Sequence, residues 1–404
     1  MPKSTHLRVS DLRGFHRLAS DATVGLTDLV EAMHHTVARK PGVLGTSPQG
    51  RTGGITGLVY RSVRGVTRLV GGGVDALLGL LEPLMAHKRS SQQREAVLAA
   101  LNGVLGDYLA ASGNPLAIAM RLRAKGVELE ASRSALATAF QEPGRKLLVL
   151  VHGLCMNDQQ WTRENHDHGA ALAGDLGYTP VYLHYNSGLH ISANGREFAA
   201  LMENLVREWP HPLEELAIIG HSMGGLLARS ACHYAALAGH AWPNRLDRLL
   251  FLGTPHFGAP LERAGARADY LLGISPYTSP FARLGKVRSA GIKDLRHGDL
   301  RDEDWATSAS TGGRAPLPLP DGIRCYAIAG SKSPRPGRAG ARTRGDGLVP
   351  INSALGRHRD PASSLAMPND RRWIGYDMGH FDLLSRAVVY ERIKSWIGDL
   401  PDPA

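Results

Sequence analysis

Cysteine is scarce: the 404 residues contain three, Cys155, Cys232 and Cys325. An odd number at wide spacing builds neither a disulfide framework nor a paired-thiol metal site, so a reducing compartment is expected. No run of about 18 apolar residues occurs, the length a spanning helix needs. The nearest approach, LVGGGVDALLGLLEPLMA, is interrupted by Asp75, Glu82 and consecutive glycines. The N-terminal stretch MPKSTHLRVSDLRGFHRLAS lacks the continuous apolar segment of a secretory leader. A cytoplasmic location, with peripheral membrane association as its variant, is the expectation. Nucleic-acid-binding motifs are missing too, so the net charge of +10 is not read as a sign of a nucleic-acid partner. It suits anionic surfaces more generally, lipid headgroups included. Neither a cofactor nor a metal is expected.

What is present is enough apolar sequence for a large core: 43% hydrophobic against 21% charged. Two regimes divide the chain. Residues 1–139 read as helical, with no strong strand. Leu58, Val59, Val63, Val66, Leu69, Val70, Val74, Leu77, Leu78 and Leu81 recur at helical spacing, with Arg61, Arg64 and Arg68 between them. A second amphipathic run, REAVLAALNGVLGDYLAA (94–111), ends at Gly113-Asn114-Pro115. KPGVLGTSPQGRTGG (40–54) reads as a glycine-rich loop.

Residues 140–404 alternate short β-type runs with helical stretches. KLLVLVHG (146–153) is continuously apolar, as a strand buried on both faces must be. TPVYLHYN (179–186), LAIIGHS (216–222), RLLFLGTP (248–255) and IRCYAIAGS (323–331) follow at spacings filled by helical segments such as REFAALMENLVREW (196–209). FDLLSRAVVYERIKSWI (381–397) reads as a terminal helix. Strand and helix in alternation predict an α/β fold with a mostly parallel sheet and helices on both faces. Residues 256–321 interrupt the alternation as an insertion where a cap or lid would lie. KSPRPGRAGARTRG (332–345) is a basic, turn-rich loop that is either solvated surface or an anion contact.

The chemistry concentrates in four short blocks. Gly220-His221-Ser222-Met223-Gly224 fits G-x-S-x-G. A serine on a tight strand-to-helix turn is strained and exposed above the sheet, and the glycines let strand and helix approach. The pattern alone is weak, but AII leads in as a strand and GGLLARSACHYAALA leads out as a helix. Acyl transfer needs backbone N–H donors for the oxyanion. The residue after the nucleophile, Met223, supplies one. The other falls to Leu154, after the glycine of His152-Gly153, although that pair also suits a simple strand-ending turn. Asp346 in GDGLVP, just past the last long strand, is the candidate acid; an ordinary Asp-Gly turn is the competing reading. His380, before the terminal helix, is the candidate base, with His256 and His358 as rivals. The order Ser222, Asp346, His380 is the hydrolase order. Cys155 reads as a structural thiol and His221 as packing. Trp161 either lines a pocket or packs in the core.

Residues 145–397 resemble an α/β-hydrolase of the lipase/esterase kind. LVHG, GHSMGG, LGTPHFGAP, GDGLVP and GHFDLL are similar to the blocks of bacterial triacylglycerol lipases and inositol-deacylase-like hydrolases. The resemblance implies ester hydrolysis of acyl or lipid substrates through a Ser222-His380-Asp346 triad and an acyl-enzyme. It also implies that the 256–321 insertion helps form the acyl pocket. In some such lipases an Asp two residues after the base binds calcium; Asp382 holds that place, where a helix N-cap or first-turn residue is the competing reading. An acyltransferase or polyester depolymerase would use the same triad, and a non-catalytic lipid-surface scaffold is the non-enzymatic alternative. Residues 1–139 lie outside the resemblance. They either pack on the hydrolase domain or rest peripherally on a membrane or storage-lipid surface.

Overall fold

The computed structural model describes residues 8–38, 54–81, 91–140, 143–259, 289–306, 317–334 and 345–400. The loop expected at 40–54, much of the 256–321 insertion and most of the basic 332–345 loop lie outside them.

Two long helices, α1 (Val9–Ala38) and α2 (Gly54–Leu81), precede α3 (Gln92–Ala111). Two short strands follow, β1 (Arg121–Ala124) and β2 (Val127–Glu128), then α4 (Arg133–Phe140). The alternating part runs β3 (Lys146–Val151), α5 (His168–Leu176), β4 (Tyr178–His184), α6 (Ile191–Glu208), β5 (Glu215–His221), α7 (Met223–Ala238) and β6 (Leu246–Leu252). Helices Ala290–His297 and Asp302–Ala306 stand in the insertion before β7 (Arg324–Ser331) and β8 (Arg372–Tyr376). The terminal helix is Ala387–Ile397.

One eight-stranded sheet has the order β2-β1-β4-β3-β5-β6-β7-β8. From β4 to β8 every pairing is parallel. β1 and β2 form an antiparallel margin beside β4. The α/β fold with a mostly parallel sheet is therefore as expected. Residues 1–139, read as helical with no strong strand, also supply two short strands, β1 and β2, to the sheet. They are four and two residues long, and β2 is exposed at both positions, so neither carries the alternation by which a strand is recognised.

Period-two geometry explains the continuous apolar runs. Leu147, Val149 and Val151 of β3 point into one core and Leu148 and Leu150 into the other. The first core is closed by α6 and α7 through Phe198, Met202, Leu227 and Ala231. The second is closed by α5 and the terminal helix through Leu172, Val389, Ile393 and Trp396. Each fully buried Leu or Ile in these strands contributes about 1.5–3 kcal/mol of transfer free energy.

By contacts the chain forms two compact units. One comprises Met1–Arg94 with Leu109–Ala117, the other Glu95–Tyr108 with Ile118–Ala404. In the first, Arg94 grips Asp11 with Nε and Nη2, both at 2.6 Å, and Asn114 donates to the carbonyl of Gly14 at 3.0 Å. Among the described residues no helix is long and apolar enough to cross a membrane.

Candidate active site

The chain runs from β3 outward to β4 and then returns to place β5 on the other side of β3. The strand order reverses there, and a crevice opens at the carboxyl ends of such strands. Gly153 and Leu154 follow β3 at that crevice, and Ser222 follows β5.

Ser222 joins β5 to α7 with φ 54° and ψ −123°, a conformation that costs a non-glycine residue on the order of 1–3 kcal/mol. Its amide donates to Leu252 O at 2.8 Å, which ties the turn to the end of β6. The flanking glycines are required by distance. A Cβ on Gly220 would stand 2.6 Å from the Gly225 backbone, and one on Gly224 would meet the carbonyls of Val151 and His152, the latter at 2.6 Å. Gly153 is the third close approach: its Cβ would lie 3.0 Å from Ser222 Cβ. Met223 is the first residue of α7, so its N–H has no carbonyl one turn back to bond.

Asp346 lies in the loop after β7 and is buried. Oδ1 accepts from the amides of Leu348 and Val349 at 2.9 and 2.8 Å. Oδ2 lies 2.6 Å from His380 Nδ1. The expected acid and base are thus brought together, and the carboxylate is held by its own loop. His380 also packs over the end of β6, where a Cβ on Gly253 would meet its Cε1 at 3.0 Å. Ser222 is bonded to the residue just before that glycine. Of the three candidate bases, His380 is the one bonded to Asp346. His256 is buried with Nδ1 accepting from Arg229 at 3.2 Å, and burial, then the Arg229 charge, hold it well below the usual histidine range. His358 is exposed in a loop.

Two supports of the base were not legible beforehand. His221, read as packing, donates from Nε2 to the His380 carbonyl at 3.2 Å, and the two rings lie 4.7 Å apart. Burial, then the neighbouring His380, pushes its pKa well down, so it is a neutral brace. Asp382 opens a short 3-10 turn, not the long terminal helix, and its Oδ2 accepts from Gly379 N at 2.7 Å. That carboxylate therefore steadies the His380 turn. The terminal helix begins at Ala387.

The loop after β3 is braced from below. Tyr185 donates to His152 O at 2.9 Å and stacks on its ring at 4.4 Å. His152 is neutral, with Nδ1 donating to Gly153 O at 2.9 Å, and burial lowers its pKa to about 3. Beside it Glu95, Asp158 and His184 are all buried and close enough together to hold a metal ion. Arg123 already answers both carboxylates: its Nη1 donates to Glu95 at 2.9 Å and to Asp158 at 3.0 Å. Burial raises the Asp158 carboxyl, but the His184 bond and the Arg123 charge outweigh it and hold the pKa below the usual range. The donor set suits an ion-pair network better than a metal. Its members come from residues 95 to 184, and no short motif signals it.

Cys155 is a free thiol whose pKa burial pushes up to about 12, so it is an inert packing residue. Trp161 is fully buried in the second core, edge-on to His221 at 6.4 Å. Leu154 and Met223 join Ile191, Leu226, Ile292 and Leu295 in a separate apolar cluster, to which the insertion contributes through helix Ala290–His297.

Residues 144–312, less than half of the chain, match the family model of the PGAP1-like alpha/beta domain. The fold is that of an α/β-hydrolase. Two solved structures illustrate what the chain is similar to. Bacillus licheniformis lipase BlEst2 in its mature form is 18% identical over 64% of this chain and 92% of its own, with a TM-score of 0.40. The Pyrococcus furiosus esterase Pf2001 is 14% identical over 63% of this chain and 80% of its own, with a TM-score of 0.37. No curated protein matches the sequence. In this domain the expected nucleophile, acid and base all sit at the carboxyl ends of the parallel strands, on three different loops.

Proposed function

We propose that the protein is a serine carboxylic-ester hydrolase acting on acyl or lipid esters. The observation that carries the reading is the His380–Asp346 bond beside a serine held in a strained strand-to-helix turn. With Nδ1 donating to Asp346, His380 carries its lone pair on Nε2. That nitrogen takes the Ser222 proton as Oγ attacks the ester carbonyl. Asp346 fixes the tautomer and stabilises the imidazolium. The N–H groups of Leu154 and Met223 receive the oxyanion; the second stands at the positive end of α7. The protonated ring then gives its proton to the leaving alcohol. Water, deprotonated by His380, attacks the acyl-enzyme and releases the acid. The apolar cluster of Leu154, Ile191, Met223, Leu226, Ile292 and Leu295 gives the two donors an apolar surround. Together with the strained serine, the buried acid–base pair also favours this reading over an inert scaffold, which has no use for them.

The test is hydrolysis of p-nitrophenyl esters of increasing acyl length by wild type and Ser222→Ala. The reading expects activity in the first and a loss of several powers of ten in the second. Equal activity in both would exclude Ser222 as nucleophile.

A further inference from the structure

The helical hairpin that precedes the sheet carries its polarity inside out. Between α1 and α2 the described side-chain bonds are mostly ionic. Arg64 is buried against Glu31 at 2.5 Å and Asp28 at 2.9 Å. Asp75 receives Arg17 at 2.5 Å and Arg13 at 2.7 Å, and these guanidinium groups hold its carboxyl well below the usual range. His16 meets the Gly71 carbonyl at 3.2 Å. The outward face of α2 is apolar instead. Leu58, Val59, Val63, Val66, Leu69 and Val70 are all exposed, from 42% at Val63 to 78% at Leu69. At 3.6 residues per turn they fill an arc of about 140°. An ordinary surface helix puts that stripe inward and its charges outward. A contiguous apolar patch of this kind marks an interaction surface.

The charges beside it say which kind. Arg61 and Arg68 stand seven residues apart on one flank of the helix, about 60° and 80° round from the Leu58 edge of the stripe; both are exposed, and neither has a carboxylate partner among the described residues. The only acidic residue of α2 is Asp75, already bound by two arginines. A second copy packed stripe to stripe would therefore offer these arginines nothing from its own α2. An anionic phospholipid surface offers both complements at once, acyl chains for the stripe and phosphates for its arginines. Arg64 and Asp75, on the inward side, keep the helix in the plane of such a surface.

We propose that the outward face of α2 docks the protein on an anionic phospholipid surface, with the six aliphatic side chains in the headgroup–acyl boundary and Arg61 and Arg68 at the phosphates. The docking deepens the ester-hydrolase reading, since it would deliver the enzyme to lipid esters, but binding itself does not require Ser222.

The experiment uses full-length Ser222→Ala protein, so that vesicles are not consumed, in sedimentation with phosphatidylcholine vesicles with and without 30% phosphatidylglycerol. The proposal expects binding to the anionic vesicles that weakens with salt. Adding Val66→Asp and Leu69→Asp, on exposed positions, lowers the partition constant at least tenfold. Arg61→Ala and Arg68→Ala each lower it about fivefold and flatten the salt dependence. An unchanged melting temperature for the Val66→Asp/Leu69→Asp protein, and unchanged hydrolysis of a water-soluble ester when Ser222 is restored, show that the fold survives. No binding at low salt, or binding indifferent to all four substitutions, overturns the proposal. A wild-type dimer that the two aspartates dissociate, without vesicle binding, assigns the stripe to a second copy and also overturns it. Vesicle binding by a protein that hydrolyses no ester leaves the docking standing and removes the enzymatic reading alone.

Discussion

Asp346→Asn gives the sharpest view of how the site is built. The substitution keeps the shape and removes the charge. The loop dictates which way the amide points: Leu348 N and Val349 N both donate to Oδ1, at 2.9 and 2.8 Å. The asparagine oxygen must take that place, because an NH2 there would face two donors. Its NH2 is then left opposite His380 Nδ1, where Oδ2 now accepts at 2.6 Å. His380 can accept that bond only by moving its own proton to Nε2, and a protonated Nε2 cannot deprotonate Ser222. The wrong tautomer costs about 10⁴ in kcat in a triad. The stability loss is one charge-assisted bond, about 1.5–3 kcal/mol. Steady-state hydrolysis of a p-nitrophenyl ester, with thermal unfolding as control, measures both. A folded variant that keeps a tenth or more of the wild-type rate would refute the tautomer argument.

Two further outcomes follow from the buried charges. Arg123→Met removes the cation that Glu95 and Asp158 share and leaves two buried carboxylates short of a partner. It should destabilise by about 3–5 kcal/mol, the cost of breaking a buried pair; an unchanged melting temperature would show the network to be dispensable. Acidification should also destabilise. Burial, the largest cause in each case, holds folded His152 at about 3 and His168 at about 4, with His221 and His256 also well below the usual 6.5. Unfolded, each binds a proton near 6.5, so stability is complete above that pH and falls as pH drops towards 4, by up to about 1.4 kcal/mol per pH unit per group. Asp294, raised to about 6 by burial, and Glu197, also raised by burial, oppose this as pH falls, but the lowered histidines outnumber them. The melting temperature should fall from pH 7 to pH 5; a flat or rising profile would contradict the assignment of these histidines as neutral.

The blocks around Ser222, Asp346 and His380 were legible because each is local. A strand, a tight turn and a helix start lie within a dozen residues, and the glycines that permit the turn sit beside the side chain it presents. The five long parallel strands were legible for the same reason, since burial on both faces writes a continuous apolar run. What was missed depends on partners distant in sequence. Nothing in YLHYN says that His184 meets Asp158 and Glu95, or that Arg123 lies between those two carboxylates. β1 and β2 are too short to show a period. Asp382 looked like part of a long helix because a side chain accepting from Gly379 N leaves no mark on hydrophobic spacing. In α2 the helical period was read correctly, yet period alone does not say which side faces out. Arg64, between apolar neighbours in the sequence, turned out to be buried.

The central claim is that Ser222 is an activated nucleophile, and covalent capture tests it most directly. Folded protein would be treated with a fluorophosphonate and the adduct located by peptide mass mapping, alongside Ser222→Ala and His380→Ala. The account predicts one adduct, on the peptide carrying Ser222. It should be absent in the first variant and formed far more slowly in the second. An adduct on another residue, or none on folded wild-type protein, would contradict it.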